Sequence, residues 1–311
     1  MTASAICTAY VYGRRIRVTK LDSCGRPVEG DASVVTSSGF ISVAYTTNTD
    51  SGTEIKVPNA AGETIVRAPA IPKFLGHTVN LSLGNVDPEL FHLMTGQEVY
   101  RDYDDKIVGF TTDEDIVASD TAFALELWMG VVDGDVCDDP NAQGAYGYVL
   151  LPFVQGGVPG DFTVENDAVK FTIQDAATKR GTRWGTGPYD IMLDDGGLPA
   201  PLPTALASSK HMLLIEVAVA PPAAQCGARP FMAYGGDPIT SVVPTPTLLS
   251  VSFAVTAPSS DPFWIDFGDG EWDYSATGAP LVHAYGGAGT YDYVAYRGTS
   301  VKTGSVTVAA S

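Results

Sequence analysis

The sequence predicts a mainly β protein in two parts, and three observations carry that prediction. Thirty-three glycines and 21 prolines stand among only 17% charged residues in a chain of 311. Both residue types penalise helix interiors and serve turns, so short strands joined by turns are expected. Apolar residues also alternate with polar ones over many short runs, the period of a strand with one buried face. Finally, the stretch GGDPITSVVPTPT from Gly235 to Thr247 combines turn signals with prolines that stiffen a chain and resist inclusion in a sheet. The boundary falls there, giving domains 1–240 and 241–311, with 244–247 as the end of a proline linker. At 45% apolar residues the chain has ample material for a buried core.

Taken along the chain, RIRVTKL, SVVTSSGFISVAY and TEIKV are candidate strands. HTVNLSL puts Val79, Leu81 and Leu83 on one face, and FALELWM does the same with Phe123, Leu125, Leu127 and Met129. AVKFTIQD repeats the pattern with Val169, Phe171 and Ile173. Between them VDPELFHLMTG reads as one short helix: Asp87 caps, Pro88 suits the first helical position and Gly96 closes the far end. Residues 176–206 are rich in Gly, Pro and Asp and read as long loops, with a strand through Tyr189–Leu193. After the linker come SVSFAVTA, FWIDFGDG, APLVHAY, TYDYVAY and GSVTVAA, enough strands for a small sandwich, with one edge strand missing or supplied by the linker region.

The formal net charge of -18 disfavours nonspecific grip on nucleic acid through phosphate neutralisation. It suits a surface that a polyanion passes without sticking, and equally an ordinary acidic protein. The N-terminus, MTASAICTAYVYGRRIRVTK, places its apolar residues before its arginines, the reverse of a secretion signal. MLLIEVAVAPP is too short to cross a bilayer, so no membrane span is expected. Cys7, Cys24, Cys137 and Cys226 are scattered without CxxC spacing, and reduced thiols are expected.

Chemistry has few footholds. GxSxG, HExxH, GxxxxGK[ST] and GxGxxG after a strand are absent from the sequence. His77, His92, His211 and His283 lie in separate segments at no metal-ligand spacing. Asp266-Phe267-Gly268 imitates a kinase metal signature but lacks the loops that signature requires. Asp133, Asp135, Asp138 and Asp139 in VVDGDVCDDPN are a weak calcium candidate: carboxylates suit a hard cation, yet Cys137 falls where a ligand belongs and no Glu closes the loop. A solvated acidic turn is the simpler reading of that run, and of RDYDDKIVGFTTDEDIVASD with its seven acids and two bases. No enzyme activity and no cofactor are expected.

The most specific signal is WIDFGDGEWDYSATGAPLVHAYGGAGTYDYVAY. It resembles the PKD family of immunoglobulin-like modules, whose signature has a DFGDG turn, then H-x-Y, then G-T-Y. Asp266, Phe267, Gly268, Asp269 and Gly270 match the first part, His283 and Tyr285 the second, Gly289 and Tyr291 the third. Physically, Ile265 and Phe267 point one way, and Gly268 and Gly270 permit a turn with positive φ. These residues are thus assigned structural work, while Trp272 and Tyr274 are candidate surface contacts for host glycans or packing partners within the molecule.

Scattered stretches of the first 240 residues, RVTKLDSCGRPVEG, GFISVAY, VDPELFHLMTG and FALELWMG, resemble the major tail proteins of long-tailed bacteriophages. The resemblance implies a tail-tube-type β-barrel or sandwich domain with one short helix and long loops, carrying an outward immunoglobulin-like (PKD) sandwich. It implies stacked, hexameric rings of the chain around a channel for DNA ejection, with tape measure and tail terminator proteins as further partners. The place implied is the virion tail, assembled in the host cytoplasm. Open sheet edges can pair across protomers, and the stretches Tyr45–Ile71 and Tyr100–Asp120 are candidate arms between subunits. Two alternatives stand beside it: a cell-surface or secreted PKD-containing adhesion or glycan-binding protein, and a hydrolase using a carboxylate pair with the module as accessory.

Overall fold

The computed structural model describes residues 9–85, 87–132, 146–162, 169–181, 183–187, 189–197, 199–231, 239–257, 262–275, 277–297 and 300–310. The acidic run with Asp133, Asp135, Asp138 and Asp139 lies outside the described residues. The chain opens with β1 (Ala9–Lys20), β2 (Gly30–Ser37), β3 (Phe40–Asp50), β4 (Ile55–Pro58), β5 (Thr64–Ala68) and β6 (Lys73–Leu83), followed by helix α1 (Pro88–Thr95). β7 (Val99–Arg101) and β8 (Ile107–Phe110) form a hairpin ahead of β9 (Ala122–Val132), β10 (Tyr146–Gln155), β11 (Val158–Pro159) and β12 (Phe171–Thr178). β13 (Met192–Leu193), β14 (Pro199–Ala200), β15 (Leu213–Val217) and β16 (Arg229–Phe231) complete this part.

Most of these strands form one antiparallel sheet in the order β16-β2-β1-β9-β10-β12-β6-β3, with β15 added to β10 and β11 to β12. β2 and β3 sit near opposite ends of that order, yet only Ser38 and Gly39 separate them in the chain. Laid flat, six strand spacings of about 4.8 Å would hold them roughly 29 Å apart, far beyond the reach of two residues. The sheet therefore curls until its ends approach. Phe40 of β3 lies so close to Gly13 of β1 that a Cβ there would meet its ring. The curl stops short of closure, because no ladder joins the ends among the described residues. Where the resemblance implies a β-barrel or sandwich, the described strands of one chain form an open, curled sheet with β3 as a long free edge.

The helix stands where its caps put it. Asp87 accepts from the Glu89 and Leu90 backbone N–H groups, Pro88 begins the helix and Gly96 ends it at φ 76. The second Asp87 oxygen accepts from Gly227 N–H at 2.7 Å, and Glu89 accepts from Ala228 N–H at 2.7 Å, tying the helix start to the strand that enters β16. Leu90, Phe91, Leu93 and Met94 are buried in one core with Val79, Leu81, Leu83, Phe123, Leu125 and Leu127.

β9 is covered on both faces. Phe123, Leu125 and Leu127 enter the helix-side core, while Ala122, Ala124 and Trp128 enter a second core with Tyr148, Leu150, Trp184, Tyr189 and Phe231. The loops expected over 176–206 supply Trp184, Tyr189, Ile191 and Leu202 to that second core. The strand expected through Tyr189–Leu193 is only the two-residue β13, since Tyr189 and Ile191 are used as apolar anchors of a loop.

The C-terminal part is a two-sheet sandwich. One sheet has the order β17 (Ser241–Thr247), β18 (Ser250–Thr256), β21 (Leu281–Ala284). The other has β20 (Trp272–Ser275), β19 (Phe263–Asp266), β22 (Gly289–Arg297), β23 (Ser300–Val308). Val251, Phe253, Phe263, Ile265, Phe267, Tyr293, Ala295, Val306 and Val308 fill the space between. One expectation is corrected here: 244–247 is no linker, because Ser241–Thr247 pairs with β18 along its whole length, Pro244 opposite Phe253 and Pro246 opposite Val251. The prolines are tolerated since β17 is an edge and residues two apart turn the same way, so both missing N–H groups can fall on the unpaired side.

Candidate functional site

The DFGDG stretch forms a stapled turn between β19 and β20. Asp266 Oδ1 accepts from Gly268 N–H at 3.0 Å, and Asp269 Oδ1 accepts from Glu271 N–H at 3.1 Å. Gly268 and Gly270 hold φ of 83 and 96, and a Cβ on Gly268 would run into the Asp292 carbonyl. His283 Nε2 meets Asp269 Oδ2 at 2.8 Å and its ring stacks on Phe267 at 4.1 Å. Tyr285 donates to the Phe267 carbonyl at 3.1 Å and stacks on Tyr291 at 4.1 Å. Tyr291 donates to the Gly287 carbonyl at 3.0 Å, just before β22 begins at Gly289. Burial first, then the neighbouring Asp269, raises the Tyr285 hydroxyl well above the ordinary tyrosine range, so it stays a neutral donor. Asp266, Phe267, Gly268, Asp269, His283, Tyr285 and Tyr291 thus meet around one turn, and their bonds and ring contacts tie it to the sandwich.

Trp272 is half-buried rather than free: the Arg229 guanidinium lies over its ring at 5.4 Å and Trp264 meets it edge-on at 6.2 Å. Tyr274 is also half-buried, two residues further along β20.

The stretch Tyr45–Ile71 builds an arm. β4 and β5 pair only with each other, and every residue of both is exposed. Ile55, Val57, Ile65 and Val66 are 56%, 43%, 63% and 50% exposed, and Ile71 beside them 74%. An isolated two-stranded hairpin is marginal in water, and this one presents apolar side chains to it. At the arm's root Phe74 packs edge-on against His77 and His211, 5.1 and 5.3 Å between ring centres. His211 Nδ1 lies 3.0 Å from Thr178 Oγ1. The second candidate arm carries the β7–β8 hairpin, whose tip holds the wholly exposed Tyr103 beside Asp102, Asp104 and Asp105.

The feature that sequence reading missed lies on the second face of β9. Glu126 is fully buried and pairs through both oxygens with Arg17, at 2.5 Å to Nε and 2.6 Å to Nη2. Tyr148 donates to the same carboxylate at 2.6 Å, and the Arg17 guanidinium lies 3.4 Å from the centre of the Tyr189 ring, with Trp128 at 5.1 Å. Burial alone pulls the Arg17 pKa down, but the charge and hydrogen bonds of Glu126 more than offset it, so the guanidinium is held charged. Burial, then Glu126, pushes the Tyr148 hydroxyl far up. Above this network is a cleft of about 390 Å³ between the two domains, lined by Trp128 and Tyr189 on one side and Trp264 and Tyr296 on the other. In FALELWM a single Glu126 among apolar residues carries no local sign of a buried partner. Only Arg17, 109 positions away, reveals its role.

Among the described residues no group of three or more His, Cys, Asp and Glu could hold a metal ion, and no helix is long and apolar enough to cross a membrane. Cys24 and Cys226 are free thiols on the surface. No protein-family model matches this chain, and no curated protein matches it significantly.

Proposed function

We propose that the chain is a self-assembling structural subunit, the major tail tube protein of a long-tailed bacteriophage. Copies associate as stacked, hexameric rings around a channel for DNA, and the C-terminal sandwich is a PKD-type, immunoglobulin-like module on the outside. The arm carries this reading. A hairpin whose apolar side chains all face water is a poor use of sequence in a lone molecule and a natural one in a polymer, where the neighbour covers it. The free β3 edge adds a second place where a neighbouring protomer can continue the sheet and complete the barrel that one chain leaves open. The exposed acids Asp102, Asp104, Asp105, Asp113, Glu114 and Asp115 suit a wall that repels DNA.

Electron microscopy of the purified full chain tests the proposal: hollow tubes or stacked rings are expected. Stable monomers after prolonged concentration would overturn it in favour of a lone adhesion protein. Removing residues 239–311 is expected to leave tube formation intact, since the arm and the β3 edge both belong to the first domain.

A further inference from the structure

The cleft between the domains takes no part in the proposed assembly, and its lining has the chemistry of a ligand site. Its volume of about 390 Å³ lies near the lower end of the roughly 300–1,000 Å³ typical of small-molecule pockets. Trp128, Tyr189, Trp264 and Tyr296 give it flat apolar walls, and Trp264 and Tyr296 reinforce each other by stacking at 4.1 Å with planes 11° apart. Between these walls stand Asp190, Gln225 and Arg229, planar groups that accept or donate hydrogen bonds in pairs. Arg229 brings donors to this lining. It is half-buried in the cleft wall, where its Nη1 donates to its own neighbour's carbonyl, Ala228, at 3.3 Å.

Charge narrows the class. Burial lowers the Arg229 pKa and the charges of Asp266, Glu89 and Asp87 offset this in part, so an anion would meet three carboxylates already near the guanidinium. An anion would also approach a chain of net charge -18, and a cation would meet Arg17 and Arg229. What remains is a neutral molecule with an apolar ring face and hydroxyls around its edge, able to donate to a carboxylate and accept from a guanidinium. We infer that the cleft binds a neutral hexopyranose unit, its C–H face against the aromatic walls and its hydroxyls between Arg229, Asp190 and Gln225. Assembly of the chain is not needed for this, so the inference stands apart from the tail tube reading.

The test is saturation-transfer NMR on the full chain, which works for monomers and large assemblies alike, with the methyl α-glycosides of glucose, galactose and mannose as probes. Glucuronate and adenosine serve as counter-probes. At least one hexoside is expected to bind saturably with Kd of about 1–10 mM, the weak range of a small ligand. Arg229→Gln and Tyr296→Ala are expected to weaken that binding tenfold or more, and Tyr103→Ala to leave it unchanged. Tryptophan emission of the wild type should change with the same half-saturation, since Trp128 and Trp264 line the cleft; this measurement still decides the matter if a variant fails to fold. The inference is overturned if no hexoside saturates up to about 100 mM, if binding leaves the emission unchanged, if a folded Arg229→Gln binds like the wild type, or if glucuronate or adenosine binds tighter.

Discussion

In the C-terminal sandwich the polar side chains gather at a turn on the rim, whereas in the N-terminal sheet they sit at its middle. Asp266, Asp269, His283 and Tyr285 tie one turn to its own strands within 20 positions of sequence, and Val251, Phe253, Phe263, Ile265 and Val306 fill the core behind them. Arg17, Glu126 and Tyr148 come from three strands of the large sheet and bury an ion pair beside the second core. The outer surfaces differ as well. The sandwich exposes scattered apolar side chains such as Val282 and Val301 around a packed core, while the first domain holds out an arm with neither of its strands covered. A module closed on itself and a sheet left open at its edge are what separate duties, self-contained folding and association, would require.

Breaking the middle of the large sheet should have the largest effect on folding. Glu126→Ala leaves the Arg17 guanidinium buried without its carboxylate, an expected loss of about 3–5 kcal/mol in chemical denaturation. Gly268→Ala forces a side chain into a left-handed position against the Asp292 backbone, for about 2–4 kcal/mol. That loss should be confined to the sandwich, visible as an earlier separate transition while the first domain melts normally. Asp269→Ala removes the His283 partner and one turn bond, and about 1–2 kcal/mol should follow.

Acid should act at the arm's root. Burial first, then the charges of His77 and Arg180, holds the His211 pKa below the ordinary histidine range. The folded state then binds fewer protons than the unfolded state, so its stability is full above about pH 6.5 and declines as pH falls through the lowered value. Protease cleavage between residues 50 and 73 should be faster at pH 5 than at pH 7.5, and His211→Gln should flatten that difference. The smallest effect on the subunit itself is expected from Ile55→Asp with Ile65→Asp, both exposed: folding stability should stay within about 0.5 kcal/mol while tube formation is lost. Unchanged assembly in that pair would show that the arm has another use.

Much of the molecule could be read locally. Asp87, Pro88 and Gly96 mark the helix to the residue, because caps satisfy backbone groups within one turn of chain. The alternation of Val79, Leu81 and Leu83, or of Phe123, Leu125 and Leu127, names one buried face for the same reason: a strand's period is set by its own backbone. The DFGDG turn was legible because its bonds run between residues a few positions apart.

Burial on the other face was not legible, since it depends on what arrives from elsewhere. Trp184, Tyr189, Ile191 and Leu202 show no period in the sequence, yet their loops cover the second face of β9, where Glu126 is buried. Pro244 and Pro246 looked like linker until the position of β17 at a sheet edge removed the penalty for their missing N–H groups. The short link at Ser38 and Gly39 gave no sign that it joins the two ends of a curled sheet. Local free energies of capping, turning and alternation sit in consecutive residues; desolvation and pairing belong to the whole arrangement, and they decided where the open edge, the arm and the cleft came to lie.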